Sequence, residues 1–326
     1  MTTFEAALTA LEGANSVLLC GHEHPDGDCI GSLAALAAGL RALGKRADIF
    51  VADVPPILDC LLSNKLIADN IVFSEYDLIA ALDCATLPRL SLPPGMTAAS
   101  PDDLAAAFPK TLAIDHHASH APYAETIWVD PEQPACGMMV LSLLDALNVK
   151  ITPAMADALF VSISSDTTRF TNSNTTPAAF AAAARLTAAG AKVAWQKTLF
   201  DIRSPASARM LGILLSRYTL LNNGQIAAGY ITHEESAATQ AAPGDHEGLV
   251  DALRNIQGVE TALFTRGKAE GGSKSSMRTV NLDASKFMAQ YGGGGHPRAA
   301  GCDLPMPPDE ACEFLCKELV KLEMKN

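Results

Sequence analysis

Within the stretch His22-Glu23-His24-Pro25-Asp26-Gly27-Asp28, two histidines and two aspartates fall inside seven residues. Such a cluster repels itself or stays poorly solvated unless something positive sits in it. Carboxylate and imidazole donors together suit a hard divalent cation. Taken alone, the loop could also be a polar turn whose Asp28 caps the helix that follows. The pattern recurs, however. Asp83 closes the apolar run 77–82, Asp115-His116-His117 closes the run 111–114, and Asp166 closes the helical segment 158–165. A different chemistry is suggested by Gly292-Gly293-Gly294-Gly295-His296-Pro297-Arg298. Consecutive glycines let backbone N–H groups approach an anion, and His296 and Arg298 add charge-assisted donors for phosphate oxygens. Ser276 and Arg278, two apart on an expected strand, share a face and offer a second phosphate contact.

The elements around these residues explain how they could meet. Ser16–Cys20 reads as a buried strand, 29–43 as a helix stopped by Gly44, and 47–51 as a second strand, which makes a βαβ unit. In a parallel sheet, residues just past the carboxyl ends of successive strands converge on one edge. Asp83 and His116 are therefore expected near Asp26 and Asp28, with Asp166 arriving from a helix end. A helix over 177–189 and a connector with a further short helix lead to a change of texture. From about residue 207, helices at 207–217, 249–256 and 284–290 alternate with strands near 218–221, 226–232, 259–265 and 274–280, and Asn222-Asn223-Gly224 marks a hairpin turn. The expected fold class is α/β: an N-terminal parallel-sheet domain (1–190), a linker (191–205) and a smaller C-terminal α+β domain (206–326), with the active site in the cleft between them.

Composition limits the partners. The chain of 326 residues carries 24 basic against 36 acidic side chains, a formal charge of -12, and only 6% aromatics. A protein that clamps long nucleic acid needs a basic, stacking-rich track, so that class is not expected. A small phosphorylated substrate is still compatible, since cations and a few placed arginines can supply a local positive field. The apolar runs are too short to span a bilayer, the best being cut by Arg41, and no signal-peptide pattern opens the chain. None of the eight cysteines forms a CxxC pair, so a reducing cytoplasm is the expected compartment. His24 reads as a residue that only shapes its loop, and Cys312 and Cys316, one helical turn apart, as packing residues.

With these motifs in order, the chain resembles the DHH phosphoesterase superfamily. The resemblance rests on His22-x-x-x-Asp26-x-Asp28, Asp83, Asp115-His116-His117 and Asp166, then Ser276-Met277-Arg278 and the glycine signature with His296 and Arg298. It covers nearly the whole chain and is strongest to the compact nanoRNase and pAp phosphatase branch. The resemblance implies two divalent metal ions, usually Mn2+, with Mg2+ or Co2+ as alternatives. His22, Asp26 and Asp83 would hold one, and Asp28, Asp83, His116 and Asp166 the other, with Asp83 bridging. Asp115 would support this set without touching a metal, and His117 would contact the scissile phosphate. Gly293, Gly294, Gly295, His296 and Arg298, with Ser276 and Arg278, would hold a non-reacting part of the substrate. Two departures stand out: relatives commonly carry glycine at the position of Thr168, and Cys84-Ala85-Thr86 lies where their loops vary.

The implied activity is hydrolysis of short oligoribonucleotides such as pApA, or of pAp, by a water activated by two metals, with release of mononucleotide or phosphate. An exopolyphosphatase or pyrophosphatase and a catalytically inactive nucleotide sensor are the alternatives. No membrane partner is expected, and a homodimer is left open.

Overall fold

Apolar runs that end in acids become the strands of one sheet. In the computed structural model, which describes residues 3–62, 71–93, 96, 98–108, 110–195, 202–242 and 244–323, the chain divides into two compact units, Met1–Asp201 and Ile202–Asn326. The first contains α1 (Phe4–Gly13), β1 (Ser16–Cys20), α2 (Gly27–Ala42), β2 (Arg46–Phe50), β3 (Leu78–Leu82), α3 (Pro101–Ala107), β4 (Thr111–Asp115), β5 (Thr126–Val129), α4 (Cys136–Ala146), α5 (Pro153–Asp166) and α6 (Pro177–Ala188). Its strands are all parallel, in the order β2-β1-β3-β4-β5.

Alternation along the strands decides which layer each side chain joins. Val17, Leu19, Leu78, Ala80, Leu82, Leu112 and Ile114 face a core shared with α1, α2, α4 and α5. Leu18, Cys20, Ile79, Ala81 and Ala113 face the opposite side, where Tyr76, Leu104, Phe108 and Tyr123 cover them. Burial on both faces is why these strands read as continuous apolar runs. Helix α2 is apolar almost all round and nearly wholly buried, as expected of a central helix. Each of its leucines at 33, 36 and 40 is fully buried, worth about 1.5–3 kcal/mol apiece.

The second unit contains α7 (Pro205–Arg217), β6 (Thr219–Leu221), β7 (Ile226–Ile231), α8 (His233–Ala238), α9 (Leu249–Arg254), β8 (Thr261–Gly267), β9 (Ser273–Thr279), α10 (Ala284–Ala289), β10 (Gly294–His296), β11 (Ala299–Leu304) and α11 (Pro308–Glu323). The sheet order is β10-β11-β9-β8-β7-β6, antiparallel except where β7 meets β8. One face packs on α10 and α11, including Cys312, and the other on α7 and α9. The short helix expected in the connector falls in part on 196–201, outside the described residues. Among the described residues no helix is long and apolar enough to cross a membrane.

Candidate metal centre

Side chains from the ends of β1, β3, β4 and α5 come together in the first unit. His116 Nε2 lies 3.5 Å from Asp28 Oδ2, 3.4 Å from Asp83 Oδ1 and 3.2 Å from Asp166 Oδ2. His22 Nε2 is 3.6 Å from the other oxygen of Asp83, and His117 Nδ1 is 3.6 Å from Asp83 Oδ1. Among the described residues, three groups each bring their donor atoms within 4.8 Å of one another: Asp28 with His116 and Asp166; Asp83 with His116 and His117; His22 with Cys29 and Asp83. Asp83 belongs to two of the three and His116 to two.

Local structure sets each of these side chains. Both liganding histidine candidates turn Nδ1 to a backbone carbonyl, His22 to Glu23 at 2.9 Å and His116 to Gln133 at 3.1 Å. With Nδ1–H donating, the Nε2 of each ring is aimed at the carboxylates, the usual arrangement of a metal-bound imidazole. Asp83 takes a left-handed backbone with φ 54°, which Asp tolerates better than most residues. Asp26, not Asp28, caps α2: its Oδ1 accepts from the N–H groups of Asp28 and Cys29 at 3.0 and 3.1 Å. The capping alternative for Asp28 is thereby corrected. Its carboxylate instead turns inward, fully buried, and accepts from Cys136 N, Gly137 N, Ser32 Oγ and Ser162 Oγ. The first N–H groups of α4 thus point at Asp28, where the helix dipole also favours an anion.

The electrostatics fit a cation. Among the described residues, Asp83 Oδ1 and His116 Nε2 are buried with no hydrogen-bond partner, and the separations of 3.2 to 3.6 Å surround a point between donors without closing bonds across it. Burial and the carboxylates of Asp83 and Asp166 push the Asp28 carboxyl well up. Asp26 reaches solvent, yet the crowding of its carboxyl by protein and by Asp83 and Asp166 raises it to about 6. Burial works against the charged form of His116, but Asp166 and Asp83 beside it outweigh that and push it up to about 12. Without a metal, a proton on His116 therefore carries the positive charge that these acids demand, and a divalent ion would take over that role. Burial also disfavours the Asp83 carboxylate; His116 and His22 more than offset this and hold it below its ordinary value. Cys29 lies beside His22 and Asp83, a proximity that no feature of the sequence announces. Burial pushes its thiol well up, so it stays protonated and is a poor ligand for a hard ion. His24 is exposed at the rim, 4.0 Å from Asp53, as a loop-shaping residue should be.

In the second unit, Ser276 and Arg278 do share a face of β9, and both line a cavity of about 520 Å3. Arg266 and Lys274, directly paired across β8 and β9, line it too, with His246 and Phe264. These two cations escape a reading of the sequence because their proximity is a matter of strand register. Arg278 is also 3.2 Å from Asp251. The glycine run, read as backbone that can approach an anion, is in part a strand. Gly294–His296 forms β10, paired with β11. A Cβ on Gly293 would meet the Gly301 carbonyl at 2.2 Å, and one on Gly295 the Ala299 carbonyl at 2.5 Å. Close backbone approach is one reason for glycine there. Register places the backbone of His296 two strands from Arg278, in the same row across the sheet. The side chain of His296 lies outside the described ones, and Arg298 is exposed, its guanidinium 3.5 Å from the Leu282 carbonyl.

The signature of the DHH family's N-terminal domain matches residues 16–163, and that of the DHHA1 domain matches residues 223–323. Across the whole length, the chain is 30% identical to the bifunctional oligoribonuclease and PAP phosphatase NrnA of Thermus thermophilus, covering 96% of this chain and 93% of that protein. The chain belongs to the DHH family. The NrnA of Bacillus subtilis is 26% identical over 93% of this chain and 96% of its own. Among solved structures, an exopolyphosphatase-related protein from Bacteroides fragilis superposes with a TM-score of 0.87 at 24% identity, covering 97% and 96% of the two chains. RecJ of Thermus thermophilus, with a TM-score of 0.54 and 14% identity, shares the fold over 99% of this chain and 55% of its own.

The turn around Thr168 has a physical reading. Thr168, Arg169 and Phe170 follow α5 in succession with φ of 46°, 58° and 62°. A left-handed turn of this kind suits glycine, and Thr168 is β-branched and exposed. Thr168→Gly should relieve about 1–2 kcal/mol of backbone strain while adding about 0.5–1 kcal/mol of unfolded-state entropy, for a net gain of about 0.5–1 kcal/mol. Urea unfolding checks this; a less stable variant would show that the threonine side chain holds the turn.

Proposed function

We propose that this protein is a divalent-metal-dependent phosphoesterase whose substrates are pAp and very short oligoribonucleotides such as pApA. The observation that carries the reading is the convergence of Asp28, Asp83, His116 and Asp166, with His22 beside Asp83, in a largely buried cluster that needs positive charge; Asp26 reaches solvent next to it. Its relatives named as oligoribonuclease and PAP phosphatase support the substrate class, and the chain matches them over nearly their full length.

His22, Asp26 and Asp83 would hold one ion, and Asp28, Asp83, His116 and Asp166 the second, most suitably Mn2+ given mixed oxygen and imidazole donors. When bound, such a pair supplies Lewis acidity to phosphoryl oxygens and a water nucleophilic at neutral pH. The rest belongs to the protein. Backbone carbonyls and helix dipoles hold the ligands before the substrate arrives, so no reorganisation is needed during reaction. Asp115 keeps Nδ1 of His117 engaged, which assigns substrate contact to Nε2. There the ring donates a proton or hydrogen bond to the phosphoryl group as charge builds. Gly293, Gly294, Gly295, His296 and Arg298, with Ser276 and Arg278, grip the non-reacting phosphate, and Arg266 and Lys274 extend that positive surface.

Incubation with Mn2+ and equal concentrations of pApA, pAp, a longer RNA and polyphosphate tests the assignment. Turnover of pApA or pAp well ahead of the other two is expected. Polyphosphate hydrolysed fastest would overturn the nucleotide reading and favour a polyphosphatase, for which the row of cations at 266, 274 and 278 would serve equally.

A further inference from the structure

Behind His117 sits a group that the ligand set does not include. Asp115 is fully buried, and its Oδ1 accepts from His116 N at 2.8 Å, His117 N at 3.2 Å and His117 Nδ1 at 2.6 Å. Oδ2 is bonded to a different residue, His120 Nδ1, at 2.8 Å. The His120 side chain is only 5% exposed, and its buried Nε2 has no hydrogen-bond partner among the described residues. Tyr123 packs against the ring with centroids 5.3 Å apart, and the Tyr123 hydroxyl donates to the carbonyl of Cys84, next to Asp83. The His120 N–H also closes a turn onto the His117 carbonyl at 3.1 Å.

We infer that His120 is a positioning residue, which acts on the reaction by fixing the Asp115 carboxylate and through it the His117 ring. A carboxylate with one oxygen held by three donors and the other by none can rotate or tilt, and the second, buried oxygen would be left unsatisfied. Donation from His120 Nδ1 removes that freedom. An ionised acceptor on Oδ2 is matched by a donor, a proton on His120 Nδ1. The device is a chain, His120 to Asp115 to His117, in which an imidazole orients a carboxylate that orients a second imidazole. This inference rests on the proposed role of His117 at the phosphate.

The variants His120→Ala and His120→Asn separate positioning from simple packing, because the asparagine amide can place a donor where Nδ1 stands. With pApA and Mn2+, His120→Ala should lower kcat by about 10–100-fold, the usual cost of losing such a supporting partner, with KM within about threefold. His120→Asn should recover kcat to within about threefold of the parent. His120→Met, which keeps bulk without a donor, replaces alanine if that variant does not fold and should behave like it. Histidine side-chain 15N spectra of the Mg2+-loaded full chain give a readout independent of turnover. His117 Nδ1 should show one hydrogen-bonded signal in the parent and His120→Asn, and an averaged signal in His120→Ala or His120→Met. A parent that does not hydrolyse pApA would defeat the proposed substrate while leaving this spectrum decisive. An unaltered His117 signal in the donor-less variants, or an asparagine variant as impaired as they are, would overturn the inference.

Discussion

Asp83→Asn should abolish metal-dependent hydrolysis, lowering kcat/KM by about 10⁴–10⁶-fold, the scale seen when one member of a cooperating catalytic set is removed. Asparagine is the informative replacement. Asp83 sits at φ 54°, a conformation that Asn adopts about as readily as Asp, whereas Ala would add backbone strain of about 1–2 kcal/mol. The change therefore removes charge with little disturbance to the chain. Asp83 Oδ1 is the oxygen shared between the neighbourhoods of His116 and His117, and Oδ2 faces His22. A neutral amide offers one oxygen and cannot serve both sides as an anion. The consequence should be visible without substrate. A ligand at 100 times its Kd stabilises the folded state by about 2.7 kcal/mol, so Mn2+ should raise the Tm of the parent and leave that of Asp83→Asn nearly unchanged. Calorimetric titration should show weakened or absent Mn2+ binding. Near-normal turnover by this variant would falsify the bridging assignment.

Much of this centre is legible in the amino-acid sequence, for a reason specific to parallel sheets. The rule that strand ends converge on one edge needs only the order of apolar runs, and those of β1, β3 and β4 are each bounded by an acid or histidine. Asp26, Asp28, Asp83 and His116 follow from it, and Asp166 from the end of α5. What escapes is contact that depends on register or on distant backbone. The donors that fix Asp28 include the N–H groups of Cys136 and Gly137, more than 100 residues away, and no side-chain type announces them. His120 follows the strand in an irregular loop with no periodicity to place it. Arg266 and Lys274 become neighbours only once β8 and β9 are aligned. For the glycine run the strand pairing is not legible, because one residue type serves both anion nests and tight strand contact.

The second large effect should come from a residue with no chemistry of its own. Gly31 lies on α2 one helical turn beyond Gly27, where α2 crosses α5. A Cβ there would stand 2.3 Å from the carbonyl oxygen of Ala158, 2.9 Å from Ser162 Cβ and 3.0 Å from Ser162 N. Two of those atoms are backbone of a buried helix and cannot move aside without shifting α5 as a whole. Overpacking of this sort costs about 1–3 kcal/mol and sometimes more. The displacement would act on the site directly. Helix α2 carries Asp28, α5 carries Asp166 at its end, and Ser162 on α5 donates to Asp28 at 2.5 Å. Gly31→Ala should therefore lower both urea stability and Mn2+ affinity, though it touches no ligand. Gly39→Ala supplies the contrast. Its Cβ would meet Leu144 Cδ2 at 2.1 Å, the tip of a side chain that can change rotamer, and it lies about 12 Å further along α2 at 1.5 Å per residue. That variant should lose stability while keeping Mn2+ affinity within about twofold, because strain at a flexible tip relaxes locally. Equal loss of metal affinity in both variants would mean that global destabilisation, rather than the spacing of α2 and α5, governs the centre.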